Sequence, residues 1–356
     1  MIARVAVHLP ISVWLTEDET YRPFEADYQG EHVVVFPPLQ CPFEVRPDQE
    51  GNFDVNEIYR MLTPAANPRI YPFVRMDGRF VKHANLLQID FIRPWFERTS
   101  GSAEDPARLT IEAVVRNVVE RLRYVVGAPT FREFRLLDTF WTVRYLTDEG
   151  EELPEEKGFV RGRVNAPFTF TFTGLDASSW AAVTNLTFSF RPQLWERLYL
   201  DAQYLLPEIG PALTLAISAI ETATDEMIRD HLKPDTQKAE RLIARNWLGN
   251  RLDGVAKQLT MKSLKENSVL WDAFNRLRRA RNAAAHEGTP ILDGLEITEG
   301  VALQMILSVR PVLEWIEGFM SPSLRSHRDP HEPKWEWRSP VDSSPPVLGG
   351  DGRDTH

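Results

Sequence analysis

The chain has 356 residues, with 41 lysines and arginines against 51 acidic residues and a net charge of −10, so it does not coat nucleic acid through its overall field, although a local basic site stays open. Its single cysteine, Cys41, excludes an internal disulfide and a cysteine-rich zinc site and fits a reducing, cytoplasmic setting. The N-terminus is interrupted by Pro10 and lacks a signal peptide's unbroken apolar segment, and no run approaches the ~18 apolar residues of a membrane span, so no membrane partner is expected.

Up to residue 190, β signals dominate. "RVAVHLPISVWL" and "HVVVFPPL" are short β-branched runs bounded by proline and polar residues. "RIYPFVRMDGRFVKHANLLQIDFI" places a Met-Asp-Gly-Arg turn between two strand-like halves, which predicts a hairpin. "FREFRLLDTFWTVRYL" and "GFVRGRVNAPFTFTFTGL" alternate aromatic and β-branched residues, with Phe168, Phe170 and Phe172 on one face. One helix interrupts them. In "LTIEAVVRNVVERLRYVVG", Ile111, Val114, Val115, Val118, Leu122 and Val125 form a stripe at helical spacing, with Gly127 as its stop. Residues 1–190 therefore read as a mainly antiparallel β domain with one packed helix.

From Pro192 to Met320 the pattern is helical: "PQLWERLYLDAQYLL", then "GPALTLAISAIETATDEMIRDHL" with Leu213, Ala216, Ile217, Ile220, Ala223, Thr224 and Ile228 on one face. A stretch interrupted by Gly249 and Gly254 follows, then "NSVLWDAFNRLRRARNAAAH", a Gly-Pro loop and a last helix, "TEGVALQMILSVRPVLEWIEGFM". Residues 191–320 are expected to form an all-α bundle of four or five helices, giving an α+β chain. Residues 321–356 are proline-rich and poor in apolar residues, and read as a disordered tail that only Trp335 and Trp337 could dock.

Dinucleotide and Walker A loops, the GxSxG elbow and HExxH are absent from the sequence. His327 and His331 are four apart but lie in the proline-interrupted tail, where no helix holds them together, so neither a metal nor a cofactor is expected. The chemistry concentrates in residues 276–289, "RLRRARNAAAHEGT". On a helix, Leu270, Phe274, Leu277 and Ala284 share one face, flanked by Ala273 and Ala280. Asn275, Arg279, Asn282 and His286 line the opposite face. Arg281 falls near the apolar stripe, where a charge needs a partner, and Glu221 is the candidate. The plain alternative is a solvated helix end whose basic residues suit the helix dipole. Composition weighs against it. With 33 arginines, 8 histidines and 12 asparagines, Arg-Asn followed by His at the fifth position after the Arg is expected by chance only ~0.02 times. Two other Arg-Asn pairs, Arg116–Asn117 and Arg245–Asn246, lack the histidine.

"RNAAAH" resembles the Arg-Asn-x-x-x-His signature of HEPN domains, the small helical bundles of many prokaryotic toxins and antiphage proteins. The likeness covers residues 192–320, about a third of the chain, including a long Ala/Ile-rich helix before the motif helix. A β-rich N-terminal domain joined to such a bundle is similar to abortive-infection proteins with an Apea-like HEPN domain. The chain departs from one branch. HEPN toxins controlled by nucleotidyl transfer carry a tyrosine two residues after the histidine, and Gly288 stands there.

The resemblance implies a metal-independent endoribonuclease acting as a toxin or antiphage effector. Arg281, Asn282 and His286 would be catalytic, while Arg278 and Arg279 would hold the RNA backbone. It also implies a homodimer through the bundle, because in this family each site takes residues from two motif helices. The N-terminal domain would sense an unknown trigger. Two alternatives remain. One is a non-catalytic dimerisation module that binds a nucleotide or RNA, with ligand recognition carried by the β domain. The other is a separate activity within residues 1–190.

Overall fold

The computed structural model describes residues 1–39, 70–74, 80–97, 99, 102–127, 136, 139–153, 160–161, 173–287 and 291–325. Among these, the residues of Met1–Val115 and Arg135–Phe188 form one compact unit, and those of Arg116–Phe134 and Ser189–Pro330 form a second. The architecture is mixed α+β, with a mainly antiparallel sheet in the first unit and helices in the second.

The sheet is built from β1 (Ile2–Thr16), β2 (Phe24–Tyr28), β3 (Glu31–Val35), β4 (Ile70–Val74), β5 (Phe80–Ile92), β6 (Trp141–Leu146), β7 (Val160–Arg161) and β8 (Thr173–Leu175). Its order is β2-β3-β5-β1-β6-β7, with β4 also on β5 and β8 on β1. Ala3, Val5 and Val7 of β1 stand opposite Phe91, Ile89 and Leu87 of β5, and all six are buried. The intervening pair, Arg4 and Asp90, falls on the other face. There the guanidinium donates to both carboxylate oxygens, at 2.9 and 2.7 Å. Side chains thus alternate between the two faces with a period of two, although Ala6, Gln88 and Asp90 on the second face are buried as well.

Three features add to the sequence reading. β1 continues through Pro10 because the ladder bulges there: His8 to Val13 passes only Leu86 to Ala84 of β5. β8 pairs with β1 in parallel, within a sheet that is mainly antiparallel as expected. A helix, α2 (Ala177–Asn185), follows β8; Asp176 caps it by accepting from the Ser179 N–H at 2.8 Å, and Trp180 donates to the Arg22 carbonyl at 2.7 Å. The strands flanking the expected Met-Asp-Gly-Arg turn do pair, β4 with β5, while the turn itself and Phe168, Phe170 and Phe172 lie outside the described residues.

The helix expected inside the β domain is α1 (Pro106–Val126). Ile111, Val114, Val115, Val118 and Leu122 are fully buried, and Gly127 ends the helix at φ +65°. It does not belong to the β-rich unit alone. The unit boundary falls between Val115 and Arg116. The reason lies in residues outside the apolar stripe: Arg123 is buried and ion-paired with Asp201, and the Tyr124 ring meets Phe190 at 4.9 Å, both within the second unit.

The second unit is organised around α4 (Ile209–His231). Against it pack α3 (Leu194–Tyr204), α5 (Thr236–Arg245), α8 (Ser268–Glu287), α9 (Glu299–Leu307) and α10 (Val309–Glu317). All seven residues read as the apolar face of α4 are buried, and the small residues Ala212, Ala216, Ala219 and Ala223 let neighbouring helices come close. Between α5 and α8 the chain forms α6 (Leu248–Asn250), a π-helical turn (Arg251–Val255) and α7 (Ala256–Thr260).

The expected last helix is two, α9 and α10, separated at Ser308. Pro311 explains the break: it has no N–H, and its ring would crowd the carbonyl of Leu307 in a continuous helix. A short hairpin of β9 (Ile291–Leu292) and β10 (Leu295–Glu296), absent from the sequence reading, turns at Asp293-Gly294, both with positive φ. Residues 321–325, placed by the sequence reading in the disordered tail, are structured. Asp230 accepts from the Ser321 N–H at 2.7 Å and from its hydroxyl, and Pro322–Leu324 form a 3-10 turn. Residues 326–356 lie outside the described residues. No helix among the described residues is long and apolar enough to cross a membrane.

Candidate functional site

The motif occupies the last two turns of α8. Phe274, Leu277 and Ala280 are fully buried, with Leu270 and Ala284 partly so, and each fully buried large side chain contributes about 1.5–3 kcal/mol. The start of α4 lies against this end: a Cβ built on Gly210 would sit 3.7 Å from the Ala284 Cβ. The apolar face therefore fixes the rotation of α8, and with it which way the polar residues point.

Arg281 and Asn282 are both half-buried, and Arg281 Nη1 donates to Asn282 Oδ1 at 3.1 Å. Neighbours on a helix do not ordinarily face each other. The arginine reaches around its own helix, which holds the amide oxygen and leaves the amide N–H₂ to donate elsewhere. His286 lies in the last turn of α8, one turn beyond Asn282, and its side chain falls outside the described residues.

The expected partnership between Arg281 and Glu221 does not form. Glu221 Oε1 accepts from Arg251 Nη2 at 2.5 Å, and Arg251 Nη1 also donates to Asp225. Arg251, a buried residue at the start of the π-helical turn, reaches two acids spaced one turn apart on α4. Burial pushes the Asp225 carboxyl above the ordinary aspartate range, with the charge of Glu221 adding to it, although Arg251 pulls the other way.

The two expected RNA tethers are both engaged. Arg279 pairs with Asp293 of the hairpin at 2.8 Å, with both side chains more than half exposed, a pair worth at most about 1 kcal/mol. Arg278 lies over the Trp247 ring, 5.2 Å from its centroid, and its Nε is buried without a hydrogen-bond partner among the described residues. Arg276 is exposed and lines a groove of about 670 Å³ with Asp272, Ala273, Val301, Gln304 and Met305, between α8 and α9 and at least one turn before the motif.

Sequence reasoning missed Trp247 and Arg251. Both belong to "RNWLGNR", where the Arg245–Asn246 pair had counted only as a motif without its histidine. An exposed tryptophan between asparagines was the available signal. The chemistry available at the end of α8 is that of a guanidinium and an amide, both partly open to solvent, with an imidazole one turn on. The chain matches no known family model, no curated protein and no solved structure.

Proposed function

We propose that the second unit is a HEPN-like bundle and that the chain is a metal-independent endoribonuclease of the toxin or antiphage class. The observation that carries this reading is the Arg281-Asn282-x-x-x-His286 spacing at the end of α8, with Arg281 reaching around the helix to Asn282. His286, as the base, takes the proton from an RNA 2′-hydroxyl. The 2′-oxygen attacks phosphorus as the bond to the 5′-oxygen breaks, leaving a 2′,3′-cyclic phosphate and, once the leaving oxygen is protonated, a 5′-hydroxyl. Arg281 offers a planar fork to the phosphate oxygens as charge grows on them, and Asn282 donates its amide to the phosphate or the imidazole. A single motif supplies one cation and one imidazole, and the second set comes from another copy across a two-fold axis. The β-rich unit senses the trigger.

The test compares wild type with Arg281→Ala and His286→Ala, expressed in cells and purified. Wild type arrests growth and leaves cyclic-phosphate ends in the presence of a chelator, while each variant loses both effects without losing its fold or its dimeric mass. Intact RNA from a folded wild-type dimer, in healthy and phage-infected cells alike, would sink the proposal. The hydrogen bond from Arg281 to Asn282 favours a second reading, in which the motif braces the helix end of a non-catalytic dimerisation or RNA-binding module. In that case His286→Ala lowers stability or affinity and there is no cleavage to lose.

A further inference from the structure

Trp247 is 57% exposed, yet it is held in place. Its six-membered ring occupies the space above Gly249, where a Cβ would lie only 1.9 Å from the ring, so no larger residue permits this placement. The Arg278 guanidinium lies over the same ring, 5.2 Å from the centroid. An exposed indole fixed by its neighbours loses little rotamer freedom on binding.

Its position gives this platform a meaning. Arg278, Asn282 and His286 are four residues apart in succession, so they form one row along α8, and Trp247 stands at its head. Eight residues of helix span roughly 12 Å. A planar group stacked on Trp247 would thus lie within a few nucleotides of a phosphate held at the motif. The surroundings also discriminate between ligands. Hot-spot tryptophans of protein interfaces sit in apolar, water-excluding rings. Trp247 stands between Asn246 and Leu248 in the chain, with Arg245 and Asn250 beyond, and the Arg278 guanidinium lies against its ring while much of the ring stays exposed. A cation against an aromatic face, with further polar residues beside it in the chain, suits single-stranded nucleic acid, whose bases stack while its phosphates are neutralised.

We infer that Trp247, held by Gly249 and Arg278, is a base-stacking subsite that makes single-stranded RNA the substrate, positioning one unpaired base beside the motif. This rests on the ribonuclease reading, and binding tests it apart from cleavage. The full chain carrying His286→Ala is titrated into a labelled single-stranded RNA and into an abasic strand with the same phosphates. Trp247→Ala weakens binding of the base-bearing strand by roughly 5- to 150-fold and leaves the abasic strand unchanged. Trp247→Phe retains most of the affinity, and Gly249→Ala, which displaces the ring, behaves like Trp247→Ala.

Equal losses on both strands, or no loss, overturn the inference. So does a change in oligomeric mass with RNA affinity intact, which would mark Trp247 as a protein contact. The two readings fail separately. A chain that binds through Trp247 and cuts no RNA refutes the nuclease, and one that cuts without regard to Trp247 refutes the subsite.

Discussion

Replacing Arg251 with methionine tests the charge arrangement beside the motif helix. The side chain is 7% exposed and serves two acids, Asp225 at 16% exposure and Glu221 at 42%. Unit charges ~4 Å apart at an effective dielectric of 20 attract by about 4 kcal/mol before desolvation is subtracted. Breaking a buried pair typically costs 3–5 kcal/mol, because the remaining charge is stranded. Asp225 is largely withdrawn from solvent but keeps Arg229 as a neighbouring cation, and the exposed Glu221 adds little. The expected loss is therefore about 2–4 kcal/mol at neutral pH.

The sign of its pH dependence follows from Asp225. Its carboxyl already titrates above the ordinary range, so the native state binds more protons than the unfolded chain between its unfolded and folded pKa values, and stability falls as pH rises through that window. Losing Arg251 lifts the folded value further. The variant's deficit should shrink as pH falls from neutral toward about 4. Urea denaturation followed by far-ultraviolet circular dichroism, at several pH values, measures this. A deficit below about 1 kcal/mol, or one that grows on acidification, refutes the reasoning. A double-mutant cycle adds a direct check: Glu221 should couple to Arg251 and not to Arg281.

Two further outcomes are expected. Arg310 donates to the fully buried Glu196 and, at 3.0 Å, to Glu314, and against the pull of burial these acids raise its pKa. Arg310→Met should cost about 3–5 kcal/mol in urea denaturation, whereas Glu314→Gln, at an exposed partner, should cost less than about 0.5 kcal/mol. Burial pushes the Asp230 carboxyl up, but the Ser321 N–H and hydroxyl, with Lys233, more than reverse this, and it titrates below an ordinary aspartate. Its contribution is present above the unfolded pKa and disappears as pH falls through the folded one. Wild type should therefore exceed Asp230→Asn in thermal stability near neutral pH, and the two should converge below about pH 4.

Helix faces were the legible part of this chain. The spacing of Leu213, Ala216, Ile217 and Ile220, or of Phe274 and Leu277, is set within a few turns, and burial follows locally. Chain-length events inside a helical pattern were less legible. Pro311 breaks a segment that reads as continuous, and the π-helical turn shifts the phase of the short helix it interrupts, residues 248–260. Glu221 goes to Arg251 instead of Arg281 because an ion pair depends on where two helices place their side chains. The turns Gln29-Gly30 and Asp293-Gly294 carried a local signal that went unread. At the candidate site, the location of the motif on α8 and its buried reverse face followed from spacing. The engagement of Arg279 by Asp293 and of Arg278 by Trp247 depended on segments distant in sequence.

The helix α1 changes what counts as a heritable piece of this protein. Because Arg116–Val126 groups with Ser189–Pro330, the helical unit is encoded in two stretches separated by the last third of the β-rich unit. A gene fragment beginning near residue 190 would omit the Arg123 that meets Asp201 and the Tyr124 that meets Phe190. Recombination cannot move this unit as one contiguous cassette. To keep its packing, it must travel with the sequence that encodes the sheet.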